Sequence, residues 1–412
     1  MPTELVSGYC DSKFEKVAEV FNRSFESEFE VGASFAVEIE GEMVINLWGG
    51  HQDAQRSQPW QENTLVNVFS VTKGVTAICA ARLIEQGRLD LTQKVSHYWP
   101  EYGCNGKENT TVLDVLCHRA GMFGFQNGIP LDQWTDWHQF TDLLGAQKPF
   151  VEPSSIQGYH ALTFGWLVGE LIRRVDGRSV GQYFKEELAE PLELDFVIGM
   201  GDKDMARCAD MLMLGKLPTI DQFKLLKFVP DLFLSKALKD MKLAVAKDFN
   251  SVAFDPNAIN DPDVSNTREW RSAEIPAANG HGVASSLAKL YGILSNGGSR
   301  NGVEVLKAET VELLRKVHSH GPDLVLFGLP YRFGLGHMVN APFTPIGLNK
   351  STNMFGHTGI GGAVVFGDID KKVGFSYFNN QQHKDLKLYE TSSKLAKTLY
   401  SCLLYTSPSP RD

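Results

Sequence analysis

Near the end of the chain, two β-rich runs flank a charged turn in the stretch Gly362-Ala-Val-Val-Phe-Gly-Asp-Ile-Asp-Lys-Lys-Val-Gly-Phe-Ser-Tyr-Phe378. The runs are Gly362–Asp368 and Val373–Phe378, and both are rich in Val and Phe. Charged residues between two such runs are typical of a turn that joins strands. The stretch therefore predicts two neighbouring strands of an antiparallel sheet.

A second hairpin is predicted near the start of the chain. Ser34-Phe-Ala-Val-Glu-Ile-Glu40 and Met43-Val-Ile-Asn-Leu-Trp48 are short β-rich runs joined around Gly41. Residues from about 80 to 275 show mainly helical patterns instead. Strands at both ends of the chain, with helices between them, predict one sheet built from the two ends and a helical lobe inserted into it.

The predicted fold class is α/β (α+β), an antiparallel sheet flanked by helices with an inserted all-helical lobe. We expect an α/β lobe from residues 1–80 together with 275–402, and the helical lobe from 81–274. A chain of 412 residues suits two lobes, since domains usually have ~100–200 residues. The Ser- and Pro-rich residues 405–412 are interpreted as a disordered extension and a candidate non-native tail.

Three more stretches have the apolar spacing of amphipathic helices outside the inserted lobe. They are 14–29, with Val17, Val20, Phe21 and Phe25 on one face, then 282–294, and finally 385–403. A fourth helix is predicted from Ser70 to about Gly87, where the glycine marks its end.

The composition of the chain limits its binding partners and its cellular location. The chain has 40 Lys and Arg against 49 Asp and Glu, a net charge of −9, which argues against nucleic acid because phosphate binding needs a surplus of cations. No run of 18 apolar residues occurs, so no membrane-spanning helix is predicted. The six cysteines are scattered and Met1–Cys10 lacks a signal pattern, so we expect reduced thiols and a cytoplasmic location.

One short motif carries the chemistry of a nucleophile. In Ser70-Val-Thr-Lys73, the spacing at the start of a helix puts the hydroxyl and the amine one turn apart on the same face. A Ser hydroxyl needs a base to take its proton, and a Lys shielded from water can supply one. The motif is weak alone, because Ser286-Leu-Ala-Lys289 repeats it in what is predicted to be an ordinary surface helix.

Two further segments of the sequence strengthen the interpretation of Ser70-Val-Thr-Lys73 as a catalytic motif. Gly158-Tyr-His-Ala161 places Tyr159 just before a helix, and Gly356-His-Thr-Gly359 leads into the first C-terminal strand. In this order, Ser-x-x-Lys, Tyr and His-Thr-Gly make the sequence resemble the serine β-lactamase/penicillin-binding-protein superfamily. The pattern is most similar to class C-like β-lactamases and the esterases related to them. The resemblance covers roughly residues 15–400 and implies the β-lactamase/transpeptidase-like fold.

The sequence departs from the class C pattern at two positions. The class C motif is Tyr-x-Asn, whereas this chain has Tyr159-His160-Ala161, so the side-chain amide is missing. The third motif begins with His357 where β-lactamases carry Lys. A hydrogen bond to a charged group contributes ~1.5–3 kcal/mol, so the loss of that cation favours neutral esters over lactams that bear a carboxylate.

The resemblance implies a role for each candidate residue. Ser70 is the expected nucleophile that forms an acyl-enzyme, and Lys73 with Tyr159 the expected acid–base pair. A nearby Lys cation would lower the Tyr159 pKa by ~1–3 units, and which of the two holds the proton stays open. The N–H groups of Ser70 and Ile360 are expected to form the oxyanion hole. The residues expected to bind substrate are His357, Thr358 and Gly359.

These residues predict a serine hydrolase, of carboxylesterase type, that acts on small ester or amide molecules. A true β-lactamase or D-Ala-D-Ala-type peptidase is the first alternative, and a non-catalytic scaffold that keeps only the fold is the second. No cofactor is expected. No metal site is expected either, because His318 and His320 have no third ligand in view. The oligomeric state is left open.

Two other segments have an ordinary and a functional interpretation. The segment Phe223–Phe249 holds six Lys among apolar residues. The ordinary interpretation is surface helices whose Lys side chains lie along the helical lobe. The functional interpretation is a lid over the active site. Tyr377-Phe-Asn379 is the literal Tyr-x-Asn of the chain. It follows the third motif on a predicted strand, so we interpret it as structural.

Overall fold

Strands from both ends of the chain form one sheet. The computed structural model describes residues 5–27, 29–128, 133–212, 228–254, 264–348, 353–383 and 387–405. The strands are β1 (Val6–Cys10), β2 (Gly32–Ile39), β3 (Glu42–Gly50), β4 (Val66–Asn67), β5 (Phe196–Ile198), β6 (Gly280–Gly282), β7 (Ser299–Arg300), β8 (Val303–Glu304), β9 (Ser319–Pro322), β10 (Pro330–Phe333), β11 (Met338–Val339), β12 (Met354–Thr358), β13 (Val364–Asp368) and β14 (Val373–Asn379). Nine of them form the main sheet in the order β1-β3-β2-β14-β13-β12-β11-β10-β9.

The two predicted hairpins meet at the centre of this sheet. β2 pairs with β3, β13 pairs with β14, and β14 pairs with β2, all antiparallel. The last pairing places Phe375 beside Val37 and Tyr377 beside Phe35. The prediction of one antiparallel sheet built from the two chain ends is confirmed.

Helices cover the sheet and fill the long connection between its halves. They are α1 (Glu15–Glu26), α2 (Thr72–Glu85), α3 (Val95–Tyr98), α4 (Val112–Leu116), α5 (Trp137–Ala146), α6 (Thr163–Asp176), α7 (Val180–Phe184), α8 (Glu190–Leu192), α9 (Asp202–Met205), α10 (Lys236–Lys247), α11 (Phe249–Phe254), α12 (Arg268–Ser272), α13 (Ala284–Ser295), α14 (Ala308–Arg315) and α15 (Glu390–Tyr405). The four helices predicted individually correspond to α1, α2, α13 and α15.

The two faces of the sheet are covered by different helices. Successive side chains of a strand point to opposite faces, so Phe366 joins the apolar cluster that contains Phe21 of α1 and Leu399 of α15, whereas Val365 joins the cluster of α13. α13 lies close to β14, because Gly374 carries no Cβ that would clash with the main chain of α13. The strand β12, which carries the predicted His-Thr-Gly motif, is therefore buried on both faces of the sheet.

The described residues of the inserted part form helices and one short strand. Its helices α4, α5 and α7 surround α6, and α6 packs on α2. The strand β5 belongs to this part and pairs with β6 in the small sheet β4-β6-β5. This strand has only three residues, and no sequence pattern predicted it. The boundaries near residues 80 and 275 stay a prediction.

Two sequence predictions extend beyond the described residues. Residues 406–412 of the predicted tail and 223–227 of the Lys-rich segment lie outside the described residues. The rest of that segment includes α10, whose Lys236 and Lys239 are exposed as expected for a surface helix. Among the described helices, none has the length and apolar composition needed to cross a membrane.

Candidate active site

The predicted nucleophile Ser70 lies in a tight turn that leads into α2. Residues Phe69–Val71 form a 3-10 turn directly before Thr72. Phe69 has a φ of 45°, a left-handed conformation that bulky side chains seldom adopt. Thr72 Oγ1 donates to Phe69 O at 2.6 Å and accepts from the N–H of Gly280 at 2.9 Å. The Thr72 hydroxyl thus links the unusual turn to the main chain of β6 and holds it in place.

The amine of Lys73 is fully buried and surrounded by three oxygen atoms. Nζ lies 3.0 Å from Ser70 Oγ, 2.6 Å from Ala161 O and 2.9 Å from Ala277 O. A carbonyl oxygen only accepts hydrogen bonds, so the two carbonyls take two N–H groups. Burial lowers the pKa of Lys73 well below its ordinary value, which favours the neutral amine. The lone pair of that neutral amine then faces the Ser70 hydroxyl.

Tyr159 lies beside this amine. Lys73 Nζ is 4.8 Å from the centroid of the Tyr159 ring, and the side chain is 3% exposed. Burial raises the pKa of Tyr159 well above its ordinary value, and a hydrogen bond with the Ser70 hydroxyl opposes this shift only in part. The expectation that a Lys cation lowers the Tyr159 pKa is wrong, because Lys73 is itself buried and favours its neutral form.

The end of β12 meets the nucleophile turn. A Cβ atom at Gly359 would clash with the carbonyl oxygen of Val68, so the missing side chain lets these two main chains touch. Ile360 follows directly and is half-buried, as is Ser70. The structure therefore brings the predicted oxyanion segment beside the nucleophile. Thr358 ends β12 and is 5% exposed.

His357 lies on β12, one residue before Thr358. Its imidazole is fully buried, and Nδ1 donates to the carbonyl oxygen of Thr358 at 2.7 Å. Nε2 then carries no proton in the neutral ring, and it has no partner among the described residues. Burial, with the neighbouring Lys73, lowers the pKa of His357 well below its ordinary value. His357 is therefore a buried, neutral ring near the end of β12, and its contact with substrate stays a prediction.

The second copy of the Ser-x-x-Lys motif is not a site. In α13, Ser286 Oγ accepts from the N–H of Asp195 at 2.7 Å. Lys289 Nζ donates to the carbonyl oxygen of Leu192 at 2.6 Å. Ser286 and Lys289 thus hold two points of the neighbouring loop and are not bonded to each other. The prediction of a surface helix is wrong, because most residues of α13 are buried.

Sequence reasoning missed the groups that fix the site. The acceptors for Lys73 are main-chain oxygens, which carry no residue-type signal. His118 and Asp323 contact the main chain next to Tyr159, and neither was a candidate. Buried polar residues far apart in sequence, next to a motif, are the signal that would have found them. Within the described ranges, no three His, Cys, Asp or Glu side chains are grouped as metal ligands.

Comparison with known proteins assigns the chain to a family. A family model described as "Beta-lactamase" matches residues 21–396. The chain belongs to the β-lactamase family. The esterase/beta-lactamase LipL of Mycobacterium tuberculosis is 34% identical to this β-lactamase-family chain over 379 residues, which cover 91% of the chain and 83% of LipL.

Solved structures of the family agree with the fold described above. A family VIII carboxylesterase is 33% identical with a TM-score of 0.83, and the match covers 96% of this chain and 99% of that one. A penicillin-binding protein homologue from Caulobacter crescentus is 34% identical with a TM-score of 0.83, over 96% and 99% of the two chains. The predicted β-lactamase/transpeptidase-like fold is confirmed. The chain is a serine hydrolase of this family, as the motifs predicted.

Proposed function

We propose that this serine hydrolase is a carboxylesterase that cleaves small neutral esters through an acyl-enzyme on Ser70. The observation that carries the proposal is the environment of Lys73, whose Nζ lies 3.0 Å from Ser70 Oγ, 2.6 Å from Ala161 O and 2.9 Å from Ala277 O. In the neutral amine the two N–H groups go to the carbonyl oxygens, so the lone pair is left for the Ser70 hydroxyl. A base poised in this way is what a serine hydroxyl needs in order to attack. The names of the relatives, esterase and carboxylesterase, support the substrate class.

Acylation follows from the protonation states at this site. Ser70 Oγ attacks the ester carbon, and its proton passes to the neutral amine of Lys73. The bond from the carbonyl carbon to the alcohol oxygen then breaks, and that oxygen takes a proton from the phenol of Tyr159. Tyr159 suits the role of acid because burial raises its pKa, so that the phenol is protonated at neutral pH. Lys73 returns a proton to Tyr159 and is neutral again.

Deacylation uses the same two groups in reverse roles. A water molecule attacks the acyl carbon and gives its proton to the acid–base pair, while Ser70 Oγ leaves and regains its proton. The pair Lys73 and Tyr159 thus starts and ends each turnover in the same state. The N–H groups of Ser70 and Ile360 are proposed to bind the oxyanion in both steps. The contact of Gly359 with Val68 supports this role, because it holds both segments together.

The preference for neutral substrates rests on two side chains. β-Lactam substrates carry a carboxylate, and β-lactamases meet it with the Lys of Lys-Thr-Gly. Here His357 is fully buried and neutral, and Ala161 offers no amide. A substrate carboxylate would therefore lose its solvent without a fixed cation to replace it, which disfavours binding. Thr358 and Gly359 stay the proposed substrate contacts at the cleft.

Two measurements test the proposal. Intact-mass spectrometry on samples quenched during turnover of p-nitrophenyl butyrate should show a butyryl adduct on the parent and none on Ser70→Ala. Steady-state kinetics should then compare p-nitrophenyl butyrate with the p-nitrophenyl monoester of succinate, which has the same scissile bond and a carboxylate. We expect kcat/KM to favour the neutral ester by about tenfold or more. An adduct on Ser70→Ala, or a preference for the charged ester, would contradict the proposal.

Nitrocefin separates the esterase from the β-lactamase alternative. LipL is named for both activities, so low lactam turnover is compatible with the family. If kcat/KM for nitrocefin exceeds that for p-nitrophenyl butyrate, the chain is a β-lactamase first, and the argument from His357 and Ala161 fails. The scaffold alternative is set aside, because the chain is a serine hydrolase.

A further inference from the structure

Three consecutive main-chain N–H groups around Tyr159 are held from outside their own segment. The N–H of Gly158 donates to His118 O at 3.0 Å, that of Tyr159 to Asp323 Oδ1 at 3.0 Å, and that of His160 to His118 Nδ1 at 3.1 Å. These residues precede α6, which begins at Thr163, so no helix supplies their acceptors. The main chain that carries the Tyr159 side chain is thus held by three hydrogen bonds, one at each of residues 158–160.

The two residues that supply the acceptors are themselves rigid. Asp323 is fully buried, and its Oδ1 also accepts from the N–H groups of Val325 and Leu326 at 2.9 Å each. His118 is fully buried, with a φ of 63°. The energetic cost of this left-handed conformation for a residue with a side chain indicates that surrounding contacts enforce it.

The ring of His118 also packs against the ring of Tyr159. Its centroid lies 4.9 Å from that of Tyr159 and 4.6 Å from that of Phe333. The His160 N–H points at Nδ1, so Nδ1 carries no proton and the neutral ring has its proton on Nε2. A charged imidazolium would set two N–H groups against each other, and burial lowers the His118 pKa well below its ordinary value, which keeps the ring neutral.

We infer that His118 and Asp323 are positioning residues that together clamp Tyr159, placing its hydroxyl against Ser70 Oγ and Lys73 Nζ during acyl transfer. The inference rests on the proposed role of Tyr159 as the acid of the reaction. Neither residue touches the reacting atoms; each acts through the main chain of 158–160. Rate in an oriented site falls steeply when a catalytic group shifts by about 1 Å, so loosening the clamp lowers kcat while substrate binding is retained.

Truncation and conservative variants separate this role from a general effect on folding. Asp323→Ala removes the side-chain acceptor of the Tyr159 N–H, and His118→Ala removes that of the His160 N–H. We expect kcat for p-nitrophenyl butyrate to fall by about tenfold or more in each variant, with KM changed by less than about threefold. His118→Asn and Asp323→Asn keep an oxygen acceptor, and Asn tolerates the left-handed conformation of residue 118. Both Asn variants should keep kcat within about threefold of the parent.

Asp368→Ala is the matched control for a buried carboxylate. Asp368 is 3% exposed, and its Oδ1 accepts from the N–H of Asp370 at 3.0 Å. It pairs with Met354 at the far end of β12 from Thr358. Its truncation should lower the melting temperature and leave kcat unchanged.

A double-mutant cycle with Tyr159→Phe decides the inference. Because the clamp acts through the hydroxyl of Tyr159, adding His118→Ala to Tyr159→Phe should lower kcat by less than about threefold further. Equal losses in both backgrounds, or single Ala variants with unchanged kcat, overturn the inference and leave the proposed function intact. If Tyr159→Phe alone keeps full kcat, the proposed role of Tyr159 fails and the inference with it. If the Ala variants do not fold, a folded His118→Asn as slow as Tyr159→Phe overturns it.

Discussion

The main chain of Gly359 touches the carbonyl oxygen of Val68, two residues before the nucleophile. A Cβ atom at position 359 would clash with that oxygen, and both partners are main chain, so a clash could be relieved only by moving β12 away from the turn of Ser70. The contact joins the strand that carries the third motif to the turn that carries the first. Both proposed oxyanion donors depend on it.

Gly359→Ala tests this dependence. We expect kcat/KM for p-nitrophenyl butyrate to fall by about 10²-fold or more, the usual cost of losing one oxyanion-hole donor, because Ile360 is displaced from Ser70. Gly201→Ala is the matched control, since a Cβ at Gly201 meets nothing within 4 Å. Circular dichroism and steady-state kinetics on both variants make the comparison. Full activity in a folded Gly359→Ala would show that the hole does not need this contact.

Ser70→Ala and Ser286→Ala should have opposite effects. Ser70→Ala should abolish ester turnover with little change in the free energy of unfolding, because the hydroxyl contributes mainly chemistry. Ser286→Ala removes an acceptor for the N–H of Asp195, so we expect a loss of about 0.5–1.5 kcal/mol in unfolding free energy and normal kcat. Urea unfolding and ester kinetics on the two variants check both halves. A folded but inactive Ser286→Ala would reverse the choice of nucleophile.

Local sequence patterns predicted the strands and the Ser-x-x-Lys motif. The residues that contact this motif, by contrast, are distant from it in the sequence. The runs that end at Asp368 and Phe378 have the alternating or clustered apolar residues that are typical of strands. The acceptors of Lys73, by contrast, are oxygens 88 and 204 residues away, and no local pattern marks a carbonyl. The same limit applies to Asp323, which lies 164 residues from Tyr159.

The burial of His357 could not be predicted from sequence for a related reason. The neighbours Thr358 and Gly359 suggest a ligand-binding strand end, and strand alternation leaves the side of each residue open until the register is known. In the structure, the register of β12 with β13 pairs His357 with Val365, whose side chain lies in the core against α13. Only the partner strand reveals that His357 is buried.

The pH dependence of ester hydrolysis should report a Lys73 base with a lowered pKa. The base must be neutral to accept a proton, so kcat/KM rises with pH as Lys73 loses its own proton. Since burial lowers this pKa well below its ordinary value, we expect the plateau to be reached well below about pH 10. Lys73→Ala should lose about 10²–10⁴ in kcat and show no such rise. A parent rate that still climbs toward about pH 10 would contradict a neutral Lys73.

His357→Lys should cost stability and leave substrate preference unchanged. The new amine would replace a fully buried ring beside Lys73, so we expect the free energy of unfolding to fall by about 1–3 kcal/mol. His357→Gln, which can still donate to Thr358 O, is the control and should lose less. Activities on p-nitrophenyl butyrate and nitrocefin should fall together. A relative gain of about tenfold on nitrocefin would show that residue 357 reaches the substrate.

Stability should depend on pH through Asp323. Burial raises the pKa of Asp323 from 3.8 to about 6, so between these values the folded protein keeps a proton that the unfolded chain releases. Stability therefore falls as pH rises through this window, by up to about 3 kcal/mol at about 1.4 kcal/mol per pKa unit.

Asp323→Asn cannot release that proton, and the comparison with the parent cancels the other titrating groups. The free energy of unfolding of Asp323→Asn minus that of the parent should increase between about pH 4 and about pH 6 and then level off. Urea unfolding followed by circular dichroism at several pH values measures this difference. A difference that stays constant across the range would mean that Asp323 ionises in the folded protein as it does in the unfolded chain. Because its Oδ1 receives three main-chain N–H groups at Tyr159, Val325 and Leu326, such a result would require them to offset the whole cost of burial.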